Sequence, residues 1–110
     1  MTITLLRLIP LPDRRQDILE ILLSIIGPTL AEPGCGRCEV AGGVLDDSIL
    51  LIEEWKTEAD LTRHLRSSLY ARVLAAVEFS AAPPEVRFLD VARSRGLELV
   101  EGVRLAAPSR

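Results

Sequence analysis

The chain carries one Trp, one His and one Tyr, and the three fall close together as Trp55, His64 and Tyr70, with Glu53 and Glu54 directly before the Trp. Carboxylates and an imidazole beside aromatic rings suit the movement of protons to and from a flat, weakly acidic organic molecule. In an extended strand Glu53 and Glu54 point to opposite faces, and Glu53 shares its face with Ile49, Leu51 and Trp55. One of the two acids therefore points inward, and a carboxylate held in an apolar row titrates above its usual range. Such a group could take a proton from a phenol or hydroquinone and leave an electron-rich anion. The competing assignment is an ion pair with Arg7 or Arg87 across the sheet.

The other residues also divide between two roles. Trp55 either caps the core where strand meets helix or forms a wall for an aromatic substrate. His64, one turn after Leu61, is either a hydrogen-bonded structural residue or an acid or base poised near neutral pH. Tyr70 and Arg87 could orient a substrate oxygen, and each also has an ordinary packing or pairing role. Cys35 and Cys38 form a Cys-x-x-Cys, but two Cys and one His cannot complete a closed tetrahedral metal site, so no metal is expected. The pair leads into a strand rather than a helix N-terminus, so residues three apart should face opposite ways and remain two inert thiols rather than a redox switch. No glycine-rich phosphate loop and no nucleophile elbow occur. These absences point to chemistry without a cofactor.

The elements that must position these residues are readable from periodicity. Thr2 to Ile9 is rich in β-branched and aliphatic residues and stops at Pro10 and Pro12, which predicts a first strand. Asp13 is placed to cap a helix from about Arg14 to Leu30, whose apolar face is wide enough to be touched from more than one side. Gly27-Pro28 should bend or end it. Cys35 to Ala41 predicts a second strand, and Ser48 to Trp55 a third, joined through Gly42-Gly43 and Asp46-Asp47. Thr57 with Asp60 opens a helix carrying Leu61, His64 and Leu65. Ser67 or Ser68 restarts it as Leu69 to Phe79, burying Leu69, Tyr70, Val73, Leu74 and Val77. Pro83-Pro84 stops all helix, Glu85 to Ala92 predicts a fourth strand, and Leu97 to Val100 a short fifth. The order β-α-β-β-α-β is the split βαβ pattern of an α+β, ferredoxin-like domain with a four-stranded antiparallel sheet. One domain over residues 1–102 is expected, with residues 103–110 as a flexible tail.

Both faces of the predicted strands are apolar. Ile49 and Leu51 oppose Leu50 and Ile52; Ile3 and Leu5 oppose Leu6 and Leu8; Val86 and Phe88 oppose Leu89 and Val91. The helices of a split βαβ unit cover one face only. Leaving about six aliphatic side chains in water would forgo roughly 1.5–3 kcal/mol each. A homodimer packed sheet against sheet, closing a dimeric α/β barrel, removes that loss, and the 48% hydrophobic composition agrees. The net charge of −3 is spread along the chain without a basic run, which argues against nucleic acid as a partner. No apolar stretch approaches a membrane span, and no signal peptide precedes the first strand, so a cytoplasmic protein is expected.

Three stretches resemble the antibiotic biosynthesis monooxygenase family of small dimeric α/β-barrel proteins, which includes quinol monooxygenases. Glu32-Pro33-Gly34-Cys35 is similar to the turn entering the family's second strand. Ile52-Glu53-Glu54-Trp55, then Ala59-Asp60-Leu61 and His64, resembles its central signature, and Ser67-Ser68-Leu69-Tyr70 the segment that follows. The resemblance spans roughly residues 2–92. It implies oxidation of a small aromatic, phenolic or quinol-type substrate by dioxygen without metal, flavin or haem, with His64, Glu53 and Glu54 handling protons and Trp55, Tyr70 and Arg87 binding substrate. Two alternatives stand beside this reading. One is a non-catalytic dimeric protein for small ligands or stress response. The other is haem binding or degradation with His64 as axial ligand, disfavoured because that branch pairs its Trp and His with an Asn and this chain has none.

Overall fold

The computed structural model describes residues 1–106. Among these it contains strands β1 (Thr2–Leu8), β2 (Cys35–Gly42), β3 (Ile49–Trp55) and β4 (Glu85–Asp90), with helices α1 (Arg15–Leu30), α2 (Glu58–Leu65), α3 (Ser68–Val77) and α4 (Leu97–Leu105). The sheet has the order β2-β3-β1-β4, and each neighbouring pair is antiparallel. This is the ferredoxin-like arrangement expected from the element order. No helix among the described residues is long and apolar enough to cross a membrane.

Strand alternation sets the two faces. In β1 the side chains of Thr2, Thr4, Leu6 and Leu8 are buried, and in β3 those of Ile49, Leu51, Glu53 and Trp55. Helix α1 lays Ile18, Leu22, Ile25 and Thr29 against this face. Their spacing of three to four residues is the stripe a helix needs to meet a sheet. Helix α3 adds Val73 and Ala76. The opposite face, with Ile3, Leu5, Leu50 and Ile52 half-buried and Leu89 43% exposed, is covered by no other element among the described residues.

Helix ends follow side-chain chemistry, with one correction. Thr57 Oγ1 accepts from the Asp60 amide at 3.1 Å, and Ser67 Oγ from the Tyr70 amide at 3.1 Å, so both expected caps form. Asp13 does not cap α1. It sits in a left-handed turn with φ 65°, and the N-cap position falls to Arg14 without a side-chain bond. Pro28 remains inside α1, which ends two residues later. In an exposed last turn, solvent can satisfy the carbonyl that Pro28 leaves free. Leu74 of α3, expected in the core, is 55% exposed, because Val73 and Ala76 take the inward positions.

Two further expectations are overturned. Leu97 to Val100 is not a fifth strand but the first turn of α4. That helix also occupies residues 103–105 of the expected tail, while 107–110 lie outside the described residues. The two cysteines do not face opposite ways. A bulge between Cys35 and Arg37 shifts the register, so Cys35 lies opposite Trp55 and Cys38 opposite Glu53. The extra residue, Gly36, puts both thiols on the helix-covered face.

Candidate functional site

The buried face of β3 ends in Glu53 and Trp55, which are 2% and 0% exposed. Helix α2 crosses above them and presents Leu61 and His64, one turn apart. Ser67 closes the end of α2 by donating to the His64 carbonyl at 2.6 Å while it caps α3. One hydroxyl therefore ties the last turn of α2, which carries the imidazole, to the start of the helix that carries Tyr70.

His64 lies between two carboxylates. Its Nε2 is 3.0 Å from Glu53 Oε2, and its Nδ1 is 2.5 Å from Glu32 Oε2. The other oxygen of Glu53 accepts from Thr4 Oγ1 at 3.1 Å and from Trp55 Nε1 at 3.4 Å. The expected apolar setting for an inward-pointing Glu is thus absent: Glu53 is buried among three donors. Nor is its partner Arg7 or Arg87. Arg7 pairs with Asp46 at 2.9 Å and Glu85 at 3.4 Å. The Trp55 and His64 rings stack with centroids 4.5 Å apart, which leaves no room for a ligand between them. Tyr70 meets the imidazole edge-on at 5.4 Å.

Burial pulls the His64 imidazole towards neutrality, but the hydrogen bond and charge of Glu53, followed by those of Glu32, outweigh it and hold the ring above its ordinary 6.5. The protonated ring donates from both nitrogens. Burial, then the Glu53 charge, raises the Tyr70 phenol above 10.0. The same two causes push the Cys38 thiol up to about 12; burial is also the leading cause that raises Cys35. Both cysteines are free thiols and stay protonated near neutral pH, which makes them poor nucleophiles.

Of the residues singled out by sequence, the structure brings Glu53, Trp55, His64 and Tyr70 together. It does not bring Glu54 or Arg87 to them. Glu54 lies on the open face, 3.9 Å from Arg37, and Arg87 lies on the same face of edge strand β4, opposite Leu5. Two members were missed. Thr4 reaches Glu53 from the neighbouring strand, and Glu32 reaches His64 from the turn after α1. That turn is held by the Glu32 amide donating to the Thr29 carbonyl and the Lys56 amide to the Gly34 carbonyl. Arg63 adds a bond to the Pro33 carbonyl. The only sequence signal for Glu32 was its place beside the Pro-Gly turn.

Glu32 is the outlet of this row, with its side chain 22% exposed against 2% for Glu53. With the ring neutral and its proton on Nδ1, a proton arriving at Glu53 can pass to Nε2 while Nδ1 releases one to Glu32 and solvent. Beside the row, a groove of about 220 Å³ runs between α2 and β4, lined by Thr2, Leu61, Leu65, Phe88 and Asp90 among others. Phe88 is the cross-strand neighbour of Thr4, whose hydroxyl holds Glu53. Among the described residues no three His, Cys, Asp or Glu side chains are placed to hold a metal ion, and both His64 nitrogens are already engaged.

A ferredoxin-like sheet with a buried imidazole bridging two carboxylates beside a Trp defines a small α+β protein with an ionisable cluster at the edge of a groove. The family model for antibiotic biosynthesis monooxygenase matches residues 1–76, and the chain belongs to that family. Among solved structures it is similar to Rv0793 from Mycobacterium tuberculosis, at 26% identity and a TM-score of 0.80, covering 86% of this chain and 98% of that one. A putative antibiotic biosynthesis monooxygenase from Nitrosomonas europaea shares its fold at 20% identity and a TM-score of 0.77, covering 84% and 100% of the two chains. Another from Deinococcus radiodurans does so at 16% identity and a TM-score of 0.78, covering 87% and 97%. No curated protein matches.

Proposed function

We propose that this protein is a monooxygenase that oxidises a small phenolic or quinol-type substrate with dioxygen and without a cofactor, as a homodimer joined through the open sheet face into an α/β barrel. The observation that carries the reading is the buried row Glu53–His64–Glu32. A group that only needed to pack would not hold an imidazole between two carboxylates at this depth, since burying charges costs several kcal/mol per ion before their attraction offsets it. Family membership supports the reaction class.

The substrate would lie in the groove against Phe88, with its hydroxyl towards Thr4. Glu53 takes the phenolic proton through the Thr4 hydroxyl, and His64, when neutral with its proton on Nδ1, relays it from Nε2 to Glu32. The resulting anion supplies the electrons. A ring C–H becomes C=O, one oxygen atom of O2 enters the product and the other leaves as water, so that the phenol loses the four electrons that dioxygen gains. Glu54 and Arg87 have no part in this step. Haem ligation by His64 is not supported, because neither ring nitrogen has a free lone pair when both donate.

Oxygen uptake with a panel of hydroquinones and phenols tests the proposal. General acid–base catalysis contributes about 10²- to 10⁴-fold, so Glu53→Gln and His64→Ala should each lower turnover by at least about a hundredfold. Turnover unchanged in both variants would refute the relay. Panel members that bind without any oxygen uptake would leave a non-catalytic binding protein as the correct reading.

A further inference from the structure

Helix α4 belongs to no core. None of its residues is buried, and it makes no extensive contact with any other element. Its sequence is nevertheless amphipathic. At about 100° per residue, Leu97, Leu99, Val100 and Val103 fall within an arc of roughly 160°, with Glu98 and Glu101 on the other side. Those four apolar side chains are 68%, 40%, 51% and 66% exposed. The radius of gyration is 16.9 Å, whereas a compact chain of this length would have about 13 Å. The helix projects as an arm with its apolar face uncovered.

The body has a matching vacancy. On the helix-covered side of the sheet, α1, α2 and α3 leave β4 bare, and Phe88 and Val86 are 49% and 45% exposed beside the α2 groove. The groove is open and, at about 220 Å³, smaller than the roughly 300 Å³ at which enclosed ligand sites begin. Its rim carries Glu58 and Asp90. The arm is basic where it would meet that rim, with Arg93 and Arg95 in the connection to α4 and Arg104 inside the apolar arc.

Area also points to a second copy. Four strands about 4.8 Å apart and seven residues long give a sheet face of roughly 19 by 23 Å, about 440 Å², against about 800 Å² per partner in a standard stable interface. We infer that α4 is an exchanged arm, laid across the mouth of the groove between α2 and β4 of a second copy of this chain, so that each site is roofed by its partner. The inference rests on the homodimer proposed above but not on the reaction.

The test uses cysteine variants of the full chain in a Cys35→Ser background, since Cys35 is partly exposed and Cys38 is buried. Val100→Cys chains mixed with Thr62→Cys chains should form a cross-linked species of twice the chain mass under mild oxidation. No cross-link in the mixture, or a cross-link within single chains of the double variant, would overturn the arm exchange. A chain ending at Arg95, which loses no buried residue among those described, should lose only the far-ultraviolet helical signal of α4, keep a cooperative unfolding transition, and show a dimer dissociation constant raised at least tenfold by sedimentation. Val103→Asp should act in the same direction. An unchanged dissociation constant would overturn the inference and leave the sheet-face dimer standing. A monomeric unaltered protein would overturn both. Oxygen uptake plays no part, so failure of the monooxygenase reading is seen separately.

Discussion

Replacing Glu53 with Gln should destabilise the protein in a manner that depends on pH. The substitution keeps shape and leaves an oxygen to accept from Thr4 and Trp55, but it removes the negative charge 3.0 Å from His64 Nε2. Breaking a buried ion pair costs about 3–5 kcal/mol. Glu32 still faces Nδ1, which places the expected loss near the lower end, at about 3 kcal/mol while the ring is protonated. With a neutral ring the native carboxylate faces an unprotonated nitrogen, whereas the Gln amide can donate to it, so the loss should shrink or reverse. Urea unfolding followed by the single Trp, at fixed protomer concentration, would measure this at pH 6 and pH 9. A destabilisation of the same size at both values would show that Glu53 and His64 are not coupled as described.

The native protein should itself lose stability as pH rises. His64 binds its proton more tightly folded than unfolded, so its contribution is complete below about pH 6.5 and disappears as pH rises through the folded value; an unfolding midpoint flat between pH 6 and 9 would contradict this. Thr57→Ala should cost about 1 kcal/mol through loss of the α2 cap, read as a lower denaturation midpoint with Thr57→Ser close to native. Leu22→Ala, at a site 1% exposed, should cost about 2–5 kcal/mol, where less than 1 kcal/mol would place α1 away from the sheet. Thiol reagents at pH 7.5 should modify the native chain far more slowly than the urea-unfolded one, with half-exposed Cys35 reacting before buried Cys38; equal native and unfolded rates would refute their shielding.

Local periodicity was enough to determine much of this architecture. Alternation in Ile49–Trp55 placed Glu53 and Trp55 on one face because successive strand residues must point oppositely, and the wide apolar face of α1 showed that this helix is pressed against the sheet. Thr57 was legible as a cap, and Ser67 as one of two adjacent candidates with Ser68, because capping needs only a few neighbouring residues. Alternation misled where a single inserted residue breaks it: Gly36, a glycine inside the strand pattern, makes a bulge, and the two cysteines consequently share a face. Leu97 to Leu99 alternates over only three residues, but the longer segment to Leu105 follows the helical period, and the longer pattern governs.

The candidate site divides in the same way. His64 and Trp55 could be singled out because each is the only residue of its type and they lie nearby in sequence. That Glu53 rather than Glu54 joins them follows from which sheet face α2 covers. Glu32, 32 residues from His64 in sequence, and Thr4, 49 from Glu53, enter only when the turn after α1 and strand β1 are brought into place. The sequence by itself determined which groups could carry a proton. Tertiary packing decided which of them share one, because a hydrogen bond across that separation depends on a distance that no local pattern encodes.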